Sequence, residues 1–363
     1  MKLRQKGLQA VKLLIPFSKK YQSIFKTVVS HKVSTTNRTL KTVGCAVLLF
    51  VLSLSLPALA QYRLAWQEMD SLNRSLQVGK SIRLRKFEGT LPNGRKIAAY
   101  LAIINLKSRY LRVEAIPAAA GKGLVLTSEL AQQFNSLVAI NGGYFTFKTD
   151  TARNGLSSVS LLVHRGQLLT GHVLPVFRKD STGINRALYP TRSAVGFTGS
   201  QANFAWTFTD SIGNTWAYNT PNPVIVKPLQ QNPPTQTFPA VPYKWQASEI
   251  MGGGPMLVWQ GKIRVTDQEE WFTQIANPNP RTAVGLDRKG RLLLLVVDGR
   301  QPGYSDGATF TELAEIFLGL HARYAVNLDG GGSSAMVVKG KVINQPSDKT
   351  GERKVASILS ISK

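Results

Sequence analysis

Three times along the chain an apolar-apolar-Val-x-x-Gly-Lys/Gln-apolar pattern recurs: Leu161 to Leu168, Met256 to Ile263 and Ala335 to Val342. Each copy is centred on a turn whose second residue is glycine, at Arg165-Gly166, Gln260-Gly261 and Lys339-Gly340. That suits a tight β-hairpin, because glycine adopts positive φ without a Cβ clash. Upstream of each copy lies a glycine cluster: Asn141-Gly142-Gly143, Gly252-Gly253-Gly254 and Asp329-Gly330-Gly331-Gly332. A second echo pairs Arg192-Ser193-Ala194-Val195-Gly196-Phe197 with Arg281-Thr282-Ala283-Val284-Gly285-Leu286. Any one copy is ordinary for a β-protein. Three copies in the same order predict a sheet with Gly-rich connections at one end.

One helix is legible beside the strands. Thr309-Phe310-Thr311-Glu312 fits a capping box, and Phe310, Leu313, Ala314, Phe317 and Leu318 share an apolar face ending near Gly319. This helix lies between the apolar runs Leu292 to Val297 and Tyr324 to Leu328, a strand-helix-strand unit whose strands would be parallel and whose following loops would share one edge. Ile97 to Leu106 and Tyr110 to Ile116, joined by Lys107-Ser108-Arg109, read as a further hairpin. The expected class is α/β in the mixed α+β sense: a mixed sheet with repeated hairpins, Gly-rich loops at one edge and one prominent capped helix.

The N-terminal region sets the compartment. Residues 1 to 41 carry ten Lys or Arg and no acid, and an uncharged run follows from Thr42 to Tyr62. Val43 to Leu56 has the length of a signal-peptide core, and Pro57-Ala58-Leu59-Ala60 places small residues for cleavage before Gln61. Uncleaved, the run could just span a bilayer with its basic flank inside. Either outcome places the remainder outside the cytoplasm, secreted, periplasmic or anchored in the cell envelope, with membrane contact only through that segment. The formal charge of +25 then falls to 35 basic against 20 acidic residues, or +15. Nucleic acid is not an expected partner there; the remaining charge reads first as a soluble surface and second as attraction to an anionic polymer or phosphate-bearing substrate. The single cysteine, Cys45, excludes an internal disulfide, and with four scattered histidines it leaves no structural zinc site. The expected organisation is 1–60 leader plus signal peptide or anchor, 61–89 linker or stalk helix, and 90–363 folded domain. That domain carries a Pro-rich insertion at 210–247, whose flanking Trp206, Trp216, Tyr218, Tyr243 and Trp245 would serve either as a sugar-stacking lid or as buried pins.

Few acids sit on rigidly turned backbone: Asp298, Asp306, Glu312 and Asp329. Three glycines after Asp329 would leave N–H groups free to form an anion-binding nest beside a carboxylate. There is no Gly-x-Ser-x-Gly elbow, no His-Glu-x-x-His and no phosphate-binding Gly-x-x-x-x-Gly-Lys-Ser/Thr loop. His31, His164, His172 and His321 read as surface or structural.

Asn141-Gly142-Gly143-Tyr144-Phe145, Gly252-Gly253-Gly254-Pro255, Arg281-Thr282-Ala283-Val284-Gly285, Val297-Asp298-Gly299-Arg300 and Asn327-Leu328-Asp329-Gly330-Gly331-Gly332-Ser333 together resemble, in this order, the phosphodiester glycosidase family. The resemblance covers about residues 90 to 363. It implies a mixed α/β domain that hydrolyses a sugar-1-phosphate diester at the anomeric carbon. A glycosidase ordinarily needs two carboxyls, one to protonate a poor leaving group. A departing phosphomonoester, with a second pKa of about 6, needs charge-binding donors more than a strong acid. Asp329 is therefore the expected nucleophile or water-activating base, with Asp298 or Glu312 in support. Arg281, Arg300 and the N–H groups of Gly330, Gly331, Gly332, Ser333 and Ser334 would hold phosphate; Arg281 reads equally as capping a strand, and Glu312 as only closing its capping box. Asn141 and Asn327, with Gly142 and Gly143, would meet the sugar. No cofactor is required; a divalent cation among Asp298, Asp306 and Asp329 is allowed by their chemistry but not demanded by their spacing. The residues leave open a non-catalytic envelope module binding an anionic glycan and an exopolysaccharide processing or export factor, and they do not fix an oligomeric state.

Overall fold

The computed structural model describes residues 62–118, 123–150, 155–172 and 174–363. The leader, the cleavage site and the apolar run over 1–60 lie outside the described residues. Strand accounts for 44 % of the structure and helix for 11 %, so the α+β assignment holds only with β dominant.

Three sheets carry the fold. The largest runs, edge to edge, Gln67–Glu68, Ile82–Thr90, Lys96–Asn105, Arg291–Val297, Arg281–Asp287, Ala322–Asn327, Met256–Trp259, Lys262–Ile263. A seven-stranded sheet is centred on Glu249–Gly252, Arg192–Thr198 and Gln201–Thr209, and a five-stranded sheet on Met336–Val338, Val138–Asn141 and Ser357–Ser362. Every pairing within these sheets is antiparallel, which corrects the expected mixed sheet. Leu292–Val297 and the strand ending at Asn327 do run in the same direction. They are not neighbours, because Arg281–Asp287 lies between and pairs antiparallel with both. Their exits still share an edge.

All three echoed segments form hairpins, each at the rim of a different sheet. Both central residues have φ near +50° and +76°, as at Gln260 (53°) and Gly261 (75°), the geometry that matches strand twist across a two-residue turn. The two strands beginning at Arg192 and Arg281 lie in different sheets.

Lys96–Asn105 shows why the core reads as unbroken apolar sequence. Tyr100, Ala102 and Ile104 point into a core shared by all three sheets, while Ile97, Ala99, Leu101 and Ile103 pack on the other face with Phe310, Leu313 and Phe317 of the helix Phe310–Gly319. With successive side chains on opposite faces, burial of both requires continuous hydrophobicity. The Thr309/Glu312 capping box forms as expected.

Two local expectations are corrected. Lys96–Asn105 and Arg112–Pro117 are in different sheets, so 106–111 is a crossing between sheets and not a hairpin. The linker helix is reduced to Asp70–Ser75, and Ile82–Thr90 is a strand paired along its full length with Lys96–Asn105. There Ile82 and Leu84 point into the core between basic residues, an alternation that period-3.6 counting missed. Trp206, Tyr218 and Trp245 are buried, so these flanking aromatics pin the Pro-rich segment. No helix among the described residues is long and apolar enough to cross a membrane.

Candidate active site

Val138–Asn141 and Ala322–Asn327 belong to different sheets, yet their C-terminal ends meet. Asn141 Nδ2 donates to the Asp329 carbonyl at 2.7 Å, and Asp329 N–H donates to the Gly142 carbonyl at 3.2 Å. Asn141 Oδ1 accepts from Thr282 Oγ1 at 2.6 Å and from Ala335 N–H at 3.2 Å. One buried amide thus ties both ends of the Gly-rich turn to two sheets. Asn327 Nδ2 lies within hydrogen-bond distance of Tyr144 Oη (3.0 Å) and the Gly254 carbonyl (3.0 Å). Asn141, Gly142, Gly143, Asn327, Asp329 and Gly330–Ser334 are therefore brought together. Asn327 Nδ2 has no donor left over for a sugar hydroxyl, whereas Asn141 Nδ2 uses one of its two N–H groups and Asn327 Oδ1 is without a partner; through the bonds they do make, both asparagines position the turn.

The Asp329 carboxyl is half-buried and pushed up to about 6. Burial dominates, opposed by the Ser333 hydroxyl, the Gly330 N–H and the charge of Arg353. Ser333 Oγ favours the charged form from nearby, but neither it nor Ser334 Oγ has a hydrogen-bond partner in the structure, although both are buried. Gly331 has φ of +64°, and the Arg300 guanidinium lies 3.1 Å from where a Cβ would stand. Arg300 is exposed and held by Asn279 Oδ1 (Nε 3.1 Å, Nη2 2.9 Å). At Gly332 a Cβ would collide with Asp348 and Arg353, which form a two-bond ion pair at 2.8 and 2.9 Å. Two guanidiniums therefore flank the turn, and only Arg300 matches the expectation; Arg353 carries no local sequence signal.

Three other expected residues are committed elsewhere. Buried Asp298 accepts from Asn344 Nδ2 (2.8 Å), Gln345 N–H (3.0 Å) and Tyr304 Oη (3.1 Å), and Asn344 Nδ2 also donates to the Ser334 carbonyl. Burial pushes its carboxyl up to about 6 against those bonds. Asp298 holds the far side of the Gly-rich turn and is not free to act as a second catalytic carboxyl. Glu312 closes its capping box through Thr309 N–H at 2.8 Å, accepts from Asn93 Nδ2 and pairs with Arg95. Arg281 is 2 % exposed; Nε donates to the Ala308 carbonyl (2.8 Å), Nη2 to those of Ile275 and Asn277 (2.6 and 2.7 Å), and its guanidinium lies on Phe310. The supporting-acid role of Glu312 is thereby corrected to a cap and an ion pair, and the phosphate role of Arg281 is corrected because Nε and Nη2 are spent on three carbonyls, with only Nη1 uncommitted among the described residues. Asp298, Asp306 and Asp329 do not gather into a cation site; among the described residues no group of three or more His, Cys, Asp or Glu does.

Behind Asn327 lies a cavity of about 150 Å³ lined by Tyr144, Val159, Ser160, His172, Arg192, Gly253 and Phe272. Arg192 lies 4.2 Å over the Phe272 ring, which stacks on Tyr144. Burial pushes the His172 imidazole down to about 3, so it is neutral; Nδ1 accepts from Leu161 N–H at 3.3 Å and Nε2 donates to Thr207 Oγ1 at 3.0 Å. Arg192 went unassigned in the sequence, although the second echo places it in register with Arg281.

A family model described as phosphodiester glycosidase matches residues 134–362. N-acetylglucosamine-1-phosphodiester alpha-N-acetylglucosaminidase of Bos taurus is 48 % identical over 111 residues, covering 28 % of this chain and 21 % of the relative. The Homo sapiens enzyme of that name is 32 % identical over the same coverage. An SPbeta prophage-derived uncharacterized protein of Bacillus subtilis is 38 % identical over 109 residues, 30 % of this chain and 16 % of that protein. The matched stretch thus spans about a fifth or less of these relatives. Among solved structures, the zebrafish N-acetylglucosamine-1-phosphodiester alpha-N-acetylglucosaminidase catalytic domain, auto-inhibited by its pro-peptide, aligns with TM-score 0.52 and 21 % identity over 79 % of this chain and 85 % of that one. A putative exported protein from Burkholderia pseudomallei aligns with TM-score 0.51 and 19 % identity, over 76 % of each chain. At these identities the structural likeness speaks to the fold alone.

Proposed function

Because the chain belongs to the phosphodiester glycosidase family, we propose that it hydrolyses the glycosidic bond of a sugar-1-phosphate diester outside the cytoplasm. The observation that carries this reading is Asp329: a carboxyl raised to about 6, on a glycine-rich turn flanked by two guanidiniums. At neutral pH such a group is mostly ionised yet basic enough to serve as nucleophile or to deprotonate water. The N–H groups of Gly331, Ser333 and Ser334 are spent on the carbonyls of Pro280, Gly330 and Gly331, and that of Gly330 on the Asp329 carboxyl, so the expected nest is corrected to Arg300, Arg353 and the Gly332 N–H, which bind the charge that builds on the departing phosphomonoester. Asp298 and Glu312 are engaged structurally, and this chemistry does not need a strong acid, since the leaving group departs as an anion. The outward location rests on the basic leader and its Ala-x-Ala site.

The substrate is a carbohydrate phosphate; the sugar and the aglycone are read out by experiment. Incubating the protein with a panel of sugar-1-phosphate diesters and measuring released reducing sugar tests the proposal. Turnover of at least one diester, lost in Asp329→Asn, is expected. No release from any of them would favour a module that binds an anionic glycan without cleaving it.

A further inference from the structure

The cavity behind Asn327 is furnished for an anion and holds nothing of opposite charge. Among the described residues no hydrogen bond or ion pair involves the Arg192 guanidinium, although the side chain is half-buried. Its five N–H donors face a ring and a cavity. Ser160 Oγ accepts from Tyr144 N–H at 2.9 Å, and among the described residues its own proton has no acceptor. The nearest candidate counter-charge is Glu270, fully buried and already saturated by Ser193 N–H (2.8 Å), Ser193 Oγ (2.5 Å), Trp206 Nε1 (3.0 Å), Met256 N–H (3.0 Å) and the Thr266 hydroxyl. His172 is neutral with both ring nitrogens used, and Tyr144 Oη donates to the Gly254 carbonyl at 2.8 Å. The lining therefore offers donors and a positive charge, and no carboxylate.

The Arg192 guanidinium is half-buried, meets no carboxylate or carbonyl at hydrogen-bond distance, and feels Glu270 only as a distant charge, so its fork is left free for an oxyanion that a ligand brings into the cavity. We infer that the cavity between Arg192, Ser160, Tyr144 and Phe272 is a binding site for a compact tetrahedral oxyanion of the phosphate type, held by the Arg192 fork and the Ser160 hydroxyl. A volume of about 150 Å³ accommodates such an ion with a bridging water. The site goes beyond the proposed hydrolysis, because an oxyanion binds there whether or not a diester is cleaved. It adjoins the turn through the Tyr144–Asn327 bond, so its occupant is either a phosphoryl group of the substrate or a free oxyanion.

Titration of inorganic phosphate by calorimetry, in the Arg300→Gln background to weaken binding at the Gly-rich turn, tests the inference. Binding is expected there, weakened at least about 10-fold by adding Arg192→Gln, the scale of losing a charge-assisted hydrogen-bonded fork. Arg192→Lys, which keeps the charge and loses the fork, is expected to fall between them and decides the matter if Arg192→Gln does not fold. In phosphate-free buffer Arg192→Gln, which gives up only the Phe272 ring contact and a distant attraction to Glu270, should melt within a few degrees of its parent. Phosphate inhibition that competes with the diester assigns the site to the substrate's phosphoryl group; non-competitive inhibition assigns it to a free oxyanion. Absence of phosphate binding in the Arg300→Gln protein, or equal binding with and without Arg192, overturns the inference. Failure of the hydrolysis reading would instead appear as phosphate binding without turnover of any diester.

Discussion

Asn141 and Asp329, 188 residues apart and at the ends of strands in different sheets, are joined by a 2.7 Å hydrogen bond from the Asn141 amide to the Asp329 backbone carbonyl. The side chain that carries the proposed chemistry is aimed by a residue that does none of it. Removing that aim should be felt in turnover. Asn141→Ala deletes three hydrogen bonds in a buried setting, and we expect a stability loss of about 3 kcal/mol by denaturant melt. The kcat should fall by about 10-fold or more, the penalty for a misplaced reacting group. A destabilised protein with full kcat would show that the clamp is not needed.

The acid limb of the pH profile follows from Asp329. A carboxyl that acts ionised and titrates at about 6 should make kcat/KM fall about 10-fold per unit below that pH and level off above it. Arg353 lowers this value, so Arg353→Gln should move the limb to higher pH. A limb unmoved by that change would separate Arg353 from Asp329.

Asp298 makes a separate contribution to stability with pH. Its folded value of about 6 lies above the unfolded 3.8, so folding favours the proton. The associated stabilisation is complete below about pH 3.8 and is lost as pH rises through 6. For so buried a group this amounts to roughly 3 kcal/mol. Melting curves from pH 4 to 7 should show the decline for the wild type and a shallower one for Asp298→Asn; parallel curves would contradict the buried environment.

Glu312→Ala and Arg281→Gln should behave as folding variants. The first removes a helix cap and the partner of Arg95, the second strands three backbone carbonyls, and each is expected to cost about 2–3 kcal/mol with KM for the diester nearly unchanged. Arg300→Gln should do the reverse, raising KM with little change in melting temperature. A large KM effect at Arg281 with an unchanged melt would restore it to the phosphate site.

Much of this layout was written in the sequence wherever local chemistry fixes it. A turn with two residues at positive φ advertises itself through glycine, and a capped helix through Thr309 and Glu312. The gathering of Asn141, Asp329 and the Gly-rich turn was also legible, from the order of motifs. What a residue does once there was not. Asp298, Glu312 and Arg281 are chemically suited to a site, but Asp298 bonds to Asn344 and Gln345, Glu312 adds Asn93 and Arg95 to its local cap, and Arg281 reaches the Ala308 carbonyl, partners that only tertiary contacts bring near. Arg192 escaped notice for the same reason in reverse, since nothing local reveals that its guanidinium faces a cavity. Strand neighbours were likewise hidden: Arg281–Asp287 lies between two strands that the intervening helix connects in sequence.

The most direct test is single-turnover release of reducing sugar from a sugar-1-phosphate diester by the wild type and by Asp329→Asn, both shown folded by matching melts. A drop of more than about 100-fold is predicted, the scale of losing an acid–base or nucleophilic group. Turnover within a few-fold of the wild type would contradict the assignment of Asp329 as the reacting carboxylate.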